Sequence, residues 1–208
     1  MSLLAEITLT VDAAPWRALG LDVHADGTTQ VGLVRLRFGA PADALGVTML
    51  DGSTDVPATV DGVAAFAAEV PDGDPPSHGL GALRIDHVVV GTPDLVRTVG
   101  AFEAALRVPV RRMRTEPTGS GARLHQAFFR LGEAVLEIVG PPEVDPARAD
   151  DPARLSGLVL TVADIDDACR RLGEGVVAPP KDAVQRGRRI ATVRRDAGLG
   201  WPVALISG

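Results

Sequence analysis

The sequence predicts an α+β fold assembled from repeated β-α-β-β-β units, and three observations carry that reading. RIDHVVVGTPDLVRTVGAFEAAL (84–106) can be laid over RLSGLVLTVADIDDACRRL (154–172) so that strand, turn and acidic helix start coincide, with Asp94 over Asp164. The opening AEITLTVDAAPWRALGLDV (5–23) is a fainter third copy with Asp12 in the same place, and recurrence of one supersecondary unit signals a repeated architecture. Each helix is followed by short β-like runs bounded by turn residues.

In the first copy these runs are LGLDV, VGLVRLRF and LGVTML. In the middle copy Thr92, Pro93 and Asp94 read as helix cap, first-turn proline and a carboxylate near the positive end of the helix dipole. Leu95, Val99, Phe102 and Leu106 then form an apolar stripe at helical spacing. VPVRRMR (108–114), RLHQAFFRL (123–131) and AVLEIVG (134–140) follow, separated by TEPTGSG and by the turn Leu131-Gly132-Glu133. In the last copy Asp164 can cap the helix with Asp167 in the capping-box position, and GVVAPP, RRIATVRR and WPVALIS supply the later strands. The resulting division is an N-terminal unit at 1–58, a Pro, Gly and Asp-rich linker at 59–82, and a region at 83–208 containing units 83–142 and 152–208.

Composition excludes several function classes. A net charge of −6 and the absence of tyrosine disfavour a phosphate-binding surface or a base-stacking platform, so no nucleic-acid partner is expected. No run is apolar enough to span a membrane and the N-terminus has no signal-peptide pattern, which points to a cytoplasmic protein. The single cysteine, Cys169, falls with Ile165, Ala168 and Leu172 on one helix stripe and reads as a packing residue. No phosphate loop, dinucleotide fingerprint, G-x-S-x-G or H-E-x-x-H is present.

The stretches RIDHVVVGTPDL, FFRLGEAVLEIVGP and LVLTVADIDDA together resemble the vicinal oxygen chelate superfamily, the glyoxalase, extradiol dioxygenase and bleomycin-resistance proteins. That resemblance implies that the two later units pair into one cupped, mixed sheet around a pocket, leaving the N-terminal unit as an extra half-module. A half-sheet has an apolar face and an edge to cover. A second subunit would do so and make a homodimer, and packing on the full domain is the other arrangement.

The resemblance further implies a divalent metal held by a histidine or glutamine on the first strand and a glutamate on the last strand of each unit. The middle unit has His87 and Glu137 at those positions, whereas the last unit has Gly157 and Leu205 and the first has Ala5 and the run Val47 to Leu50. Half the site is missing, so the expected cofactor is none or a weakly held divalent metal. His125 is a further ligand candidate whose direction strand parity leaves open. Alternation puts His87 on one strand face with Ile85 and Val89, against Val88 and Val90.

Three functional readings follow. The first is an isomerase or lyase acting on a small oxygenated anionic metabolite, with Glu137 as base and His87 as partner or co-ligand. A glutamate in a half-apolar cavity has its pKa pushed toward neutrality, which suits proton abstraction beside a carbonyl. The basic stretch PPKDAVQRGRRIATVRR offers Lys181, Gln185, Arg188 and Arg189 as substrate-binding residues, joined by Gln126 and Phe128. An exposed strand whose charges discourage edge pairing is the plainer explanation of that stretch, and an ordinary buried hydrogen-bonded pair is the plainer one for His87 and Glu137. The second reading is a non-catalytic small-molecule binding or sequestering protein, with Phe128, Phe129 and Trp201 as stacking candidates. The third is an interaction module in which the N-terminal unit mediates assembly.

Overall fold

The computed structural model of the chain describes residues 2–117 and 123–208, so part of the TEPTGSG turn lies outside the described residues. The first half runs β1 (Ser2–Leu9), α1 (Ala14–Leu19), β2 (Thr28–Val31), β3 (Val34–Phe38), β4 (Ala44–Met49), β5 (Thr59–Val60) and β6 (Val63–Ala67). These strands form one sheet in the order β2-β3-β1-β4-β6-β5. The second half runs β7 (Ala82–Gly91), α2 (Leu95–Leu106), β8 (Arg112–Pro117), β9 (Arg123–Leu131), β10 (Ala134–Gly140), β11 (Arg154–Val162), α3 (Ile165–Leu172), β12 (Lys181–Asp182), β13 (Arg189–Thr192) and β14 (Val203–Ser207). Its sheet has the order β12-β13-β14-β11-β7-β10-β9-β8 and stays open, with β8 and β12 as edges.

The large sheet is two copies of one unit joined at their first strands. In each copy the first strand runs parallel to the last, β7 with β10 and β11 with β14, and the copies meet where β7 pairs antiparallel with β11. The helix starts follow the sequence closely. Asp94, in extended conformation, is the N-cap of α2 and accepts from the Arg97 N–H at 3.0 Å, while Thr92 Oγ1 accepts from the Asp94 N–H. The cap is therefore Asp94 rather than Thr92, because the carboxylate accepts from the free Arg97 N–H in the first helical turn while the hydroxyl reaches only the Asp94 N–H before it. Asp164 caps α3 in the same manner through the Asp167 N–H at 2.9 Å.

The N-terminal sheet departs from the sequence reading. LGVTML forms β4, but β4 does not close the first unit: it pairs antiparallel with β1, as β11 does with β7. β3 is the strand parallel to β1, with β2 antiparallel to β3; β6 is parallel to β4, with β5 antiparallel to β6. This sheet is thus a pair of shortened units, β1-α1-β2-β3 and β4-β5-β6, and no helix occupies the connection between β4 and β5. Residues 59–67, placed in the linker by composition, supply β5 and β6, their short Val and Ala runs being masked by flanking Pro, Asp and Gly. LGLDV is not a strand; its Leu21 and Val23 pack in the core from an irregular segment.

Both sheets share one apolar core. Ile7, Leu9, Leu36 and Trp16 from the first half and Ile85, Val88, Leu158 and Leu160 from the second are almost entirely buried in the same cluster. Each such side chain contributes about 1.5–3 kcal/mol. The Trp16 indole N–H donates to the Leu199 carbonyl, Ser2 Oγ to the Leu106 carbonyl, and Asp61 receives both Arg97 Nε at 2.8 Å and the Thr98 hydroxyl. Of the two arrangements expected for the N-terminal unit, packing on the full domain is the one seen within the chain. No helix among the described residues is long and apolar enough to cross a membrane.

His78 joins the segment before β7 to the N-terminal sheet. Its Nδ1 accepts from the Asp22 N–H at 3.1 Å and its Nε2 lies 2.9 Å from the Gln30 carbonyl, an arrangement that needs the neutral ring. Burial lowers its pKa below the ordinary 6.5, outweighing the bond to Gln30 and the Asp22 charge. The unfolded chain then binds the proton more readily, so this contribution is full above the unfolded value and is lost as pH falls toward the folded one. Thermal melts at about pH 7.5 and about pH 5.5 should show a drop for the wild type that is smaller in His78→Gln, whose amide can serve both partners. Parallel curves would refute the assignment.

Candidate functional site

The concave face of the large sheet is set by register. His87 lies beside Val135, Glu137 beside Val89 and Phe128, Gln126 beside Val139 and Arg114, and Arg112 beside Phe128, so these side chains share one face. Val88, Val90, Leu136 and Ile138 point the other way into the core. His125 pairs with Gly140 and Thr115 on that opposite parity, which removes it as a ligand partner for His87.

One irregularity changes the site. His87 pairs with Val159 and Ile85 with Leu160, so Asp86 is an extra residue in β7. Such a bulge turns two consecutive side chains to the same side and reverses the parity beyond it. Ile85 accordingly goes into the core, fully buried, instead of sharing the His87 face as simple alternation predicts. Asp86 joins His87 on the wall of a cavity of about 390 Å³.

A continuous polar chain results. Arg188 donates to Asp86 Oδ1 at 2.7 Å, and Asp86 Oδ2 lies 2.9 Å from His87 Nδ1. His87 Nε2 is 3.2 Å from Glu137 Oε2, Gln126 donates to Glu137 Oε1, and Arg114 Nε donates to Gln126 Oε1 at 2.7 Å. Thr161 Oγ1 donates to Asp86 Oδ1 as well. Burial alone would raise the Asp86 pKa, but the hydrogen bonds and charges of His87 and Arg188 outweigh it and hold the carboxyl well below the usual carboxylate range. An ionised Asp86 requires the proton of Nδ1, which fixes the His87 tautomer and leaves Nε2 and Glu137 to share one proton. Burial raises the Glu137 pKa, only partly opposed by the His87 and Arg114 charges and the Gln126 bond.

The other candidates divide. Gln126, Phe128 and Gln185 line the cavity. Arg188 acts behind the wall on Asp86, also bonded to Gln185 and the Ser207 carbonyl. Arg189 faces the other side, paired with Asp166 on α3 at 2.6 Å, because it lies on the parity of buried Ala191. Lys181 is exposed on the edge strand and outside the cavity lining. Phe129 is buried against Phe102, and Trp201 donates to Asp43 of the N-terminal half, so only Phe128 of the three stacking candidates reaches the cavity. Sequence reasoning missed Asp86, Arg112 and Arg114; the run Asp86-His87 and the alternating Arg112 and Arg114 were the available signals. Cys169 is half-buried against the core, and burial pushes its thiol up.

The metal expectation is tested by the donor set. The register partner of Val159, the residue matching Val89, is Ala204; Ala204 therefore occupies the position matching Glu137, and Leu205 points into the core. Gly157 and Ala204 offer no donor, and among the described residues no group of three His, Cys, Asp or Glu side chains is placed to hold a metal ion. One imidazole and one carboxylate from a single unit do not close a coordination shell, so the residues do not fit the group.

Two outcomes follow for stability. Arg188→Leu leaves the Asp86 carboxylate buried without its guanidinium partner and should cost about 3 kcal/mol in urea unfolding near neutral pH. Glu137 has a raised folded pKa, so its contribution is full below the ordinary value near 4.5 and declines as pH rises through the folded value. Glu137→Gln should therefore gain thermal stability relative to the wild type on going from acid to neutral pH, and a constant difference would contradict the stated burial effect.

The family model of the Glyoxalase/Bleomycin resistance protein/Dioxygenase superfamily matches residues 84–199. None of the curated proteins matches the chain. Among solved structures, the methylmalonyl-CoA epimerase from Mycobacterium tuberculosis is similar at 17% identity, covering 61% of this chain and 89% of its own, with a TM-score of 0.48. A Streptomyces coelicolor methylmalonyl-CoA epimerase in complex with 2-nitronate-propionyl-CoA gives 23%, 61%, 95% and 0.47 on the same measures. A hypothetical protein from Bacillus halodurans C-125 gives 16%, 60%, 94% and 0.47. With its two βαβββ units paired through β7 and β11 and the family match spanning both, the chain belongs to the glyoxalase, bleomycin-resistance and dioxygenase superfamily.

Proposed function

We propose that the chain is an isomerase-type enzyme that moves a proton next to a carbonyl on a small oxygenated anionic metabolite, with Glu137 as the base and His87 as its partner. The observation that carries this reading is the buried Glu137 carboxylate placed 3.2 Å from an imidazole whose far nitrogen is fixed by Asp86. A carboxyl whose pKa is raised by burial is a better base than an exposed one, and a neighbouring imidazole can hold or return the proton. The anion would lie toward Arg112 and Arg114, the cationic part of the cavity wall, rather than toward Lys181 or Arg189. The proposed step runs through these side chains alone.

Deuterium exchange at C3 of 2-oxobutyrate in heavy water, followed by proton NMR, tests the reading without knowledge of the natural substrate. The wild type should accelerate exchange over the protein-free rate, and Glu137→Gln should reduce that acceleration by about 10²-fold or more while keeping its folded spectrum. A ligand-induced thermal shift with no exchange would instead favour the sequestering reading.

A further inference from the structure

The cavity is chemically one-sided. Among the described residues, the titratable side chains on its lining, Asp86, His87, Arg112, Arg114 and Glu137, come from β7, β8 and β10 of the middle unit. The last unit contributes Ala183, Val184, Gln185, Ile190 and Ile206, none of which can take up or release a proton. Register explains the asymmetry, since Gly157 and Ala204 stand where the middle unit has His87 and Glu137. Packing does not force it at Gly157, where an added Cβ would make ordinary contacts of 3.5 and 3.6 Å with the Pro202 carbonyl and Val89.

Inverting a carbon centre by proton transfer on an intermediate held in one orientation needs a base on one face of the plane and an acid on the other. We infer that this site, resting on the proton-transfer reading above, works from a single face: the proton leaves and returns on the Glu137 side, giving exchange or a same-face shift with retention of configuration, and not epimerisation. In the forward step the Glu137 carboxylate takes the proton from carbon, the C–H pair becomes the C=C bond of an enolate, and the carbonyl pair moves to oxygen beside the arginines. Return of a proton from Glu137 reverses each change, so no further reactant is needed. His87, 3.2 Å away, gives that proton a route for exchange with solvent before it returns. Among the described residues, the last unit's side of the lining presents Ile190 and Ile206, which suit an apolar branch on the substrate and carry no proton to give. The substrate class is accordingly a short branched carboxylate with a carbonyl next to the reacting carbon.

The test uses the full chain with (3S)-3-methyl-2-oxopentanoate in heavy water, following loss of the C3 proton by NMR and configuration by chiral chromatography. The expected result is exchange well above the protein-free rate with the S configuration kept in the exchanged material. Racemisation that keeps pace with exchange would overturn the single-face inference while leaving proton abstraction by Glu137 standing. No acceleration of exchange on this probe and on 2-oxobutyrate would overturn the proton-transfer reading, and the inference with it.

Discussion

The site depends on one extra residue in a strand. A regular β7 would send Asp86 into the apolar core, where an ionised carboxylate has no partner and a cost of several kcal/mol. The bulge turns it beside His87 instead, within reach of Arg188 and Thr161. From that placement the rest follows: Asp86 stays charged, His87 takes one tautomer, and Glu137 meets a nitrogen that needs a shared proton. The cationic ends, Arg188 and Arg114, close the chain from opposite sides. A network this fully satisfied is rigid, and that rigidity lets a carboxyl stay buried in the wall without unfolding it.

The two halves of the large sheet share one topology and differ in chemistry. Parallel closure of each unit and antiparallel joining at β7 and β11 are matters of backbone and need only apolar alternation, which both copies retain. Donor atoms are a matter of single side chains, and the last unit has exchanged them for Gly157 and Ala204. Scaffold and function therefore diverge independently in this chain, as they do wherever a site is grafted on a fold.

The repeat, the Asp164 cap and the middle unit are legible because each rests on local signals: a capping aspartate, an apolar stripe, a strand between turns. Parity counting sets His87 against Val88 and Val90 and Glu137 against Leu136 and Ile138, while their facing one cavity comes from the family resemblance and not from the count. The failures have equally local causes. Parity counting cannot see a bulge, so Ile85 was assigned to the wrong side and Asp86 was overlooked. Leu205 was matched to Glu137 by alignment, but the parallel pairing of β14 is offset by one residue and puts Ala204 there. The strands β5 and β6 are too short and too heavily flanked by turn residues to stand out, and Arg189 was counted as a site residue because charge clustering in sequence says nothing about which face a strand presents.

The short strands β5 and β6 also decide where the polypeptide can be divided. A cut at residue 58, where composition shifts, would strip β6 from β4 and leave that strand's edge bare in the remaining fragment. The seam in the backbone pairing lies instead between Ala67 and Ala82, since no strand ladder crosses it. Even there the pieces would part with Trp16, Ile85 and Leu158 newly wetted, so each sheet relies on the other to keep its apolar face dry.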